Sequence, residues 1–231
     1  MKPIVLSLLV LFAVAFFLRN VFGFLKIMFK AKRPSFRTDQ IFERVKGLII
    51  YVFGQKRILK NYTWAGIEHF MLFWGFMIIT IGSLELVVLG FVPGFEAFGF
   101  LGGEAQEMFL LTLDIVQSLV IVALVMGVLN RTVIPSGKRR EVNSIDAVVI
   151  LGMIFGLMIT DFGFRASKIA LGTEPASWLP VSSMWATFFL SNVDVVTAAF
   201  STEFFYWIHV CLLFAFLNYL PYSKHSHVLT V

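Results

Sequence analysis

The sequence predicts an all-α membrane protein, a bundle of five transmembrane helices, on three grounds. Of its 231 residues, 58% are hydrophobic and 14% are charged, whereas soluble domains have about 45–50% apolar and about 25% charged residues. The apolar residues are concentrated in five runs of about the 20 residues that a helix needs to cross a bilayer. Because lipid offers the backbone no hydrogen-bond partners, each run is predicted to be helical.

The predicted spans cover residues 3–25, 64–92, 109–129, 145–164 and 204–222. The first span is predicted to be a retained anchor, because only Lys2 precedes it and basic residues follow it, which is the opposite of a signal peptide. Segment 185–200 is apolar but interrupted by polar residues, and we interpret it as an interfacial or re-entrant helix, with a sixth span as the alternative. The spans are expected to form one membrane domain over residues 1–231.

Basic residues predict the orientation of the bundle. Fifteen of the 19 Lys and Arg residues lie in segments 26–60 and 130–144 and in the tail at Lys224. By the positive-inside rule, these segments are cytoplasmic, so the N-terminus is expected outside and the C-terminus in the cytoplasm. This distribution accounts for the net charge of +5 without a nucleic-acid partner. Segment 41–60 mixes apolar and basic residues and is expected to lie along the anionic lipid surface.

Histidines are the strongest candidates for chemistry in this chain. There are four of them, His69, His209, His225 and His227. A single histidine in a protein is most often a hydrogen-bonded structural residue, but an ionisable group in a membrane is costly and usually functional. Two imidazoles on facing helices are what a six-coordinate b-type haem requires. The one cysteine, Cys211, excludes a cysteine-held iron–sulfur cluster within these residues.

Depth in the membrane decides which histidines can share an iron. The second span rises from the cytoplasmic side and the fifth descends to it, so His69 lies in the inner half and His209 in the outer half. His227, with His225 as the reserve, is closer in level to His69. We therefore predict that His69 and His227 bind the haem iron. His209 is left for a second haem or for an outer quinone site, and a haem shared by His69 and His209 is the second choice.

Four charged residues in or near the outer half are candidates for binding a quinone or moving its protons, namely Glu85, Asp114, Asp161 and Arg165. A quinone that gains electrons also gains protons, which a carboxylate can relay. Asp161 and Arg165 are four residues apart and can form an ion pair on one helix face, so a purely structural salt bridge is an equally good interpretation of that pair.

The end of the chain carries a recognisable pattern. Its residues are Trp207-Ile208-His209 and Pro221-Tyr222-Ser223-Lys224-His225-Ser226-His227. The order and the 18-residue interval from His209 to His227 resemble the last helix of the cytochrome b, or gamma, subunit family of respiratory nitrate reductase. That resemblance implies an outer and an inner haem ligand on this helix.

A second segment resembles a narrower group. It comprises Gly54-Gln55-Lys56-Arg57-Ile58-Leu59, Ala65-Gly66-Ile67-Glu68-His69 and Phe73-Trp74-Gly75-Phe76. It is similar to the membrane domain of oxidoreductases related to heterodisulfide reductase, including the proposed electron-transfer-flavoprotein:quinone oxidoreductases. In these a cytoplasmic iron–sulfur part follows the haem domain, which implies that such a part follows in a longer chain or forms a separate subunit.

The chain departs from the nitrate reductase pattern at one position. That family has two histidines ten residues apart on its second helix, one for each haem. When the inner one is matched to His69, the outer one falls on Ile79, which cannot bind iron. One haem b is therefore expected, and a second is left open.

The resulting functional hypothesis is a haem b electron-transfer module of a quinone-linked oxidoreductase in the cytoplasmic membrane of a prokaryote. It would pass electrons between the quinone pool, expected to be menaquinone, and a cytoplasmic iron–sulfur protein or flavoprotein such as electron-transfer flavoprotein. A haem-free membrane anchor for a soluble oxidoreductase and a proton-coupled transporter are the rival hypotheses.

Overall fold

A computed structural model describes residues 2–30, 39–60, 64–132 and 145–223, and the regular structure in these ranges is helical. The α-helices are α1 (Lys2–Lys30), α2 (Ile41–Gly47), α3 (Lys56–Leu59), α4 (Trp64–Leu89), α5 (Gly103–Thr132), α6 (Ile145–Ala170), α7 (Pro180–Leu190) and α8 (Val195–Tyr219). A π-helical stretch, Leu48–Phe53, continues α2, and short 3-10 turns occupy Gly99–Leu101, Ala176–Trp178 and Leu220–Tyr222.

Five helical segments are long and apolar enough to cross a membrane, as the sequence predicts. They are Lys2–Gly23, Trp64–Leu89, Gly103–Leu129, Ile145–Ala170 and Val195–Tyr222. Large apolar side chains remain exposed on them, such as Leu8 and Phe12 on α1 and Val125 on α5. In water such surfaces would be unfavourable, whereas in a bilayer they face lipid. The prediction of an all-α chain with five helices that could span a membrane is therefore confirmed for the described residues.

The bundle is built from two closely packed helix pairs, α4 with α5 and α6 with α8, which meet through contacts of α4 with α8 and of α5 with α6. Buried apolar side chains of α4, α5, α6 and α8 form the shared core, with Leu113, Val120 and Ile150 at most 2% exposed. The first helix, α1, packs mainly on α8. The short helix α7 lies on α5 and α6.

The described helices extend beyond several predicted limits. The third span begins at Gly103 rather than at residue 109, and the fifth begins at Val195 rather than at residue 204. Segment 185–200, predicted as one interfacial helix, is instead divided between the end of α7 and the start of α8. The break has a local cause, because Asp194 is the N-cap of α8 and accepts a hydrogen bond from the Thr197 N–H at 3.3 Å.

Close packing of α4 on α5 depends on glycines of α4. A Cβ atom added at Gly75 would overlap with a methyl carbon of Val120, and one added at Gly82 would lie 2.8 Å from a methyl carbon of Leu113. Small residues that let helix backbones approach closely are characteristic of helix contacts in membranes. The pair α4 and α5 therefore owes its close contact to positions where an added side chain would displace Val120 or Leu113.

We predict that Gly75→Ala destabilises the protein by about 1–3 kcal/mol, because the added methyl group overpacks the core against Val120, whose branched side chain has little rotamer freedom. Gly152→Ala on α6 is the matched control, since a Cβ atom there has nothing within 4 Å and alanine favours the helix. Thermal unfolding in detergent, followed by circular dichroism, measures both variants. Equal melting temperatures for them would contradict the packing argument.

Candidate functional site

Two contacts define the register of the antiparallel helices α4 and α8. The Ser83 hydroxyl lies 3.1 Å from His209 Nε2, and the rings of Phe76 and Phe216 have centroids 6.1 Å apart. Seven residues separate the two contacts on each helix, so both contacts belong to the same alignment. We name the two ends of the bundle after a residue at each. The His69 end is where α4 begins and α8 finishes, and the Arg165 end is the opposite one.

Continuing this register through the 3-10 turn after α8 places His69 near the level of Ser223, because each lies seven residues beyond the phenylalanine contact. His69 is exposed on α4. It is also 14 residues before Ser83 on one continuous helix, an axial rise of about 21 Å. An imidazole nitrogen binds a metal at about 2 Å, so the alternative in which His69 and His209 share one iron does not fit. His225 and His227 lie outside the described residues.

His209 is fully buried in the middle of the bundle. Its Nδ1 lies 3.0 Å from the Thr160 hydroxyl of α6, and its Nε2 contacts Ser83 of α4. A neutral imidazole donates through one nitrogen and accepts through the other, and a hydroxyl can serve either role. Both ring nitrogens are thus engaged. Ile79, one turn before Ser83, is itself in the apolar core, so the position that the nitrate reductase pattern gives to an outer haem ligand carries a packing residue here.

A buried ion pair lies near His209. Arg165 Nε donates to Asp161 Oδ2 at 3.0 Å, and both side chains are 3% exposed. Gln117 of α5 donates to the same carboxylate oxygen, so the pair is held from a second helix. Arg165 Nη1 also lies 3.8 Å from Glu174 Oε1. Since charges in a membrane are stable only when paired or hydrated, this network stabilises the arrangement of α5 and α6.

Glu85 occupies the Arg165 end of α4. Its Oε1 accepts hydrogen bonds from the Ala97 N–H at 2.9 Å and from the Gln106 amide at 2.5 Å. Arg165 is close enough to Glu85 to interact with it electrostatically. Glu85 and Arg165 both line a cavity of about 200 Å³ between the ends of α4, α5 and α6. Two of the four predicted quinone or proton residues therefore meet at one cavity.

Asp114 has a different role in the structure. One carboxylate oxygen accepts from the Val181 N–H at 2.6 Å, and the other accepts from the N–H and the hydroxyl of Ser182, at 3.1 and 2.5 Å. Asp114 is fully buried. It therefore satisfies the free N–H groups at the start of α7 and attaches that helix to α5, as a carboxylate at a helix N-terminus does.

Six further polar residues line the cavity and were missed in the sequence, namely Glu96, Gln106, Glu107, Lys168, Thr173 and Glu174. Lys168 Nζ forms an ion pair of 2.6 Å with Glu174 Oε1. Glu174 lies in the loop after α6, outside every apolar run, so hydropathy gave no reason to select it. A search for charged residues within a few positions of a predicted span end would have included Lys168, four residues past residue 164, but not Glu174, which is ten residues past it.

The basic segment before α4 is largely exposed. Within residues 39–60, all five basic side chains are exposed, and Arg44 is paired with Asp39 at 2.9 Å. Exposed apolar side chains alternate with them, including Ile41, Phe42 and Leu48. Phe53 contacts Trp74 of α4, with ring centroids 6.3 Å apart. The mixture of exposed basic and apolar side chains is compatible with a segment that lies against lipid, which stays a prediction. Among the described residues, no group of three or more His, Cys, Asp or Glu side chains could hold a metal ion.

Comparison with known proteins finds relatives among oxidoreductases. The chain is 30% identical over 192 residues to the probable iron-sulfur-binding oxidoreductase FadF of Bacillus subtilis, covering 83% of this chain and 26% of that protein. It is 23% identical over 222 residues to the EtfAB:quinone oxidoreductase of Syntrophomonas wolfei, covering 90% of this chain and 30% of that protein.

The chain thus spans between a quarter and a third of the curated relatives that it matches. No protein-family model matches it, and no solved structure does either. The relatives support the predicted relation to quinone-linked and iron–sulfur oxidoreductases, at the level of a membrane module within such proteins. They do not show the nitrate reductase gamma family.

We predict that Asp161→Asn destabilises the protein by about 3–5 kcal/mol, because it leaves the buried guanidinium of Arg165 without its nearest counter-charge. Adding Arg165→Met to this variant should recover part of the loss. Glu203→Gln is the control, since the Lys2–Glu203 pair is exposed and should cost less than about 1 kcal/mol. Chemical denaturation in detergent measures all three. A loss for Asp161→Asn no larger than for Glu203→Gln would show that the buried pair is not needed.

Proposed function

We propose that this chain is the membrane electron-transfer module of a quinone-linked oxidoreductase and holds one b-type haem through His69 and His227. The module would pass electrons between the quinone pool and a cytoplasmic iron–sulfur protein or flavoprotein. Its two relatives are named as an iron-sulfur-binding oxidoreductase and an EtfAB:quinone oxidoreductase, which supports a redox role for the matched membrane part.

The register of α4 and α8 is the observation that carries this proposal. It makes His69 level with Ser223, the last described residue. His225 and His227 follow Ser223 by two and four residues, which is at most about 7 and about 14 Å along the chain. Both are therefore close enough in sequence to reach the level of His69, whereas His209 is not. We assign His227 as the ligand and keep His225 as the reserve.

A bound b-type haem supplies one-electron transfer, with a reduction potential set by its two axial ligands and their surroundings. The chain itself would contribute two neutral imidazoles, one from α4 and one from the segment that follows α8. Packing of α4 against α5 and of α8 against α6 holds these two helices in place. Because both nitrogens of His209 are already bonded to hydroxyls, we propose one haem rather than two.

Partner and orientation follow from the charge distribution. Segment 26–60 carries ten basic residues, and the part of it that the structure describes adjoins the start of α4. If this side is cytoplasmic, as the positive-inside rule predicts, it would face anionic lipid and a negatively charged redox partner such as electron-transfer flavoprotein. The N-terminus would then be outside, and the quinone, expected to be menaquinone, would reach the module from within the membrane.

We predict that His69→Ala and His227→Ala abolish the low-spin haem spectrum, because each removes one axial ligand. His225→Ala and His209→Ala should retain it, the first because His225 is only the reserve and the second because His209 is bonded within the core. Reduced-minus-oxidised visible spectra of protein expressed with ample haem, normalised to folded protein, measure the effect.

Two outcomes would contradict this assignment. Wild-type protein without a Soret band would favour the haem-free membrane anchor. Loss of the haem in His209→Ala, with retention in both His225→Ala and His227→Ala, would instead favour the pairing of His69 with His209.

The predicted orientation is tested separately. A reporter enzyme that is active only in the cytoplasm, fused after Val231, should be active, because five spans put the termini on opposite sides and the basic loops predict a cytoplasmic C-terminus. The same reporter fused before Met1 is the control and should be inactive. Activity of the N-terminal fusion alone would reverse the orientation of the bundle.

A further inference from the structure

The cavity at the Arg165 end has one polar and one apolar wall. Its polar wall includes Glu85, Arg165, Lys168 and Glu174, and its apolar wall includes Leu86, Leu89, Leu110 and Phe164. With about 200 Å³, it is smaller than the roughly 300–1,000 Å³ of pockets that enclose a drug-sized ligand. It can therefore hold a compact head group of one or two rings, with any long tail remaining outside.

Glu174 provides an unused hydrogen-bond acceptor. Its side chain is only 9% exposed, and its Oε1 receives the ammonium group of Lys168. Its Oε2 is buried and has no hydrogen-bond partner. A buried carboxylate oxygen without a partner is costly, and such groups in native proteins call for an explanation. A ligand that carries a hydroxyl group would supply the missing donor.

The charges around the cavity decide which class of ligand fits. Four carboxylates line it, from Glu85, Glu96, Glu107 and Glu174, against two cations, Arg165 and Lys168. This excess of negative charge disfavours an anion. Among the described residues, no cluster of carboxylates suits a metal ion. A neutral ring that carries both hydroxyl donors and oxygen acceptors satisfies Glu174, Lys168 and the apolar wall together.

We propose that this cavity binds the head group of a quinol, with a ring hydroxyl donating to Glu174 and a ring oxygen accepting from Lys168. The inference rests on the proposed function, which requires a quinone site, and it adds the location and the contacting residues. Glu85 lies 16 residues after His69 on α4, a rise of about 24 Å. The head group and the proposed haem would therefore bind near opposite ends of the bundle.

Photolabelling tests this site without using electron transfer. The full chain in lipid nanodiscs is illuminated with an azido-naphthoquinone that lacks an isoprenoid tail, and labelled peptides are mapped by mass spectrometry. Label is expected within segments 85–96, 103–110 and 164–175, and excess menadione should remove it. Label confined to other segments would overturn the proposal.

Two variants with matched controls make the test specific. Glu174→Gln should weaken labelling about tenfold or more, because the ring hydroxyl loses a charged acceptor, whereas Glu104→Gln, on an exposed acid that does not line the cavity, should not. Gly103 lines the cavity and has open space at its Cβ position, so Gly103→Leu should obstruct binding without unfolding the chain. Gly152→Leu, also in open space, is its control.

The outcomes separate this proposal from the proposed function. Haem spectra are recorded on the same samples. Specific labelling without a Soret band would remove the proposed haem and leave the head-group site supported. A normal haem spectrum, with wild-type labelling in both Glu174→Gln and Gly103→Leu, would overturn the head-group site alone.

Discussion

The two hydrogen bonds of His209 determine how three of the five spans stand relative to one another. One ring nitrogen meets Ser83 of α4 and the other meets Thr160 of α6, while the histidine itself belongs to α8. In a bilayer, an imidazole without partners would be expensive, so the two hydroxyls restrict α4 and α6 to one axial position against α8. That position makes His69 level with the end of α8 and brings Glu85 of α4 and Arg165 of α6 to one cavity.

Polar side chains at the Arg165 end divide into two kinds by the groups that they meet. The carboxylate of Asp114 accepts hydrogen bonds from the start of α7, and that of Asp161 accepts them from Arg165 and Gln117. Both stabilise the arrangement of helices, and both are buried away from the cavity. Glu174 differs, because one of its oxygens is paired and the other is buried without a partner. A buried carboxylate oxygen without a partner, in the wall of a cavity, is better explained by a ligand than by packing, which is why Glu174 rather than Asp161 carries the inference about a head group.

Apolar run length was sufficient to predict the five spans, because each run exceeds what a bilayer requires and has little charge. It could not predict where the spans begin, since Gly103–Met108 and Val195–Glu203 contain polar residues that are stable at an interface and still helical.

The sequence also identified Glu85, Asp114, Asp161 and Arg165 as unusual, because charge near a membrane span is rare. It could not assign their roles. Asp114 meets Ser182 across 68 positions, a contact that only the folded chain creates. Whether His69 meets His227 stays a prediction, since the described residues end at Ser223, four positions before His227.

Separation of the two ends has a chemical consequence if both proposed sites are used. Oxidation of a quinol releases two electrons and two protons. At the Arg165 end, Glu174 lies in a loop beyond α6 and Lys168 is 22% exposed, so protons leaving the head group would reach the aqueous phase on that side. Electrons destined for a partner on the basic side would travel the other way, toward His69. In the predicted orientation, protons would then be released outside while electrons move inward, and quinone reduction would reverse both movements. With the haem ligands at the inner end and Glu174 at the outer end, electron transfer would therefore be coupled to charge movement across the membrane. A quinone site at the His69 end would not give this coupling.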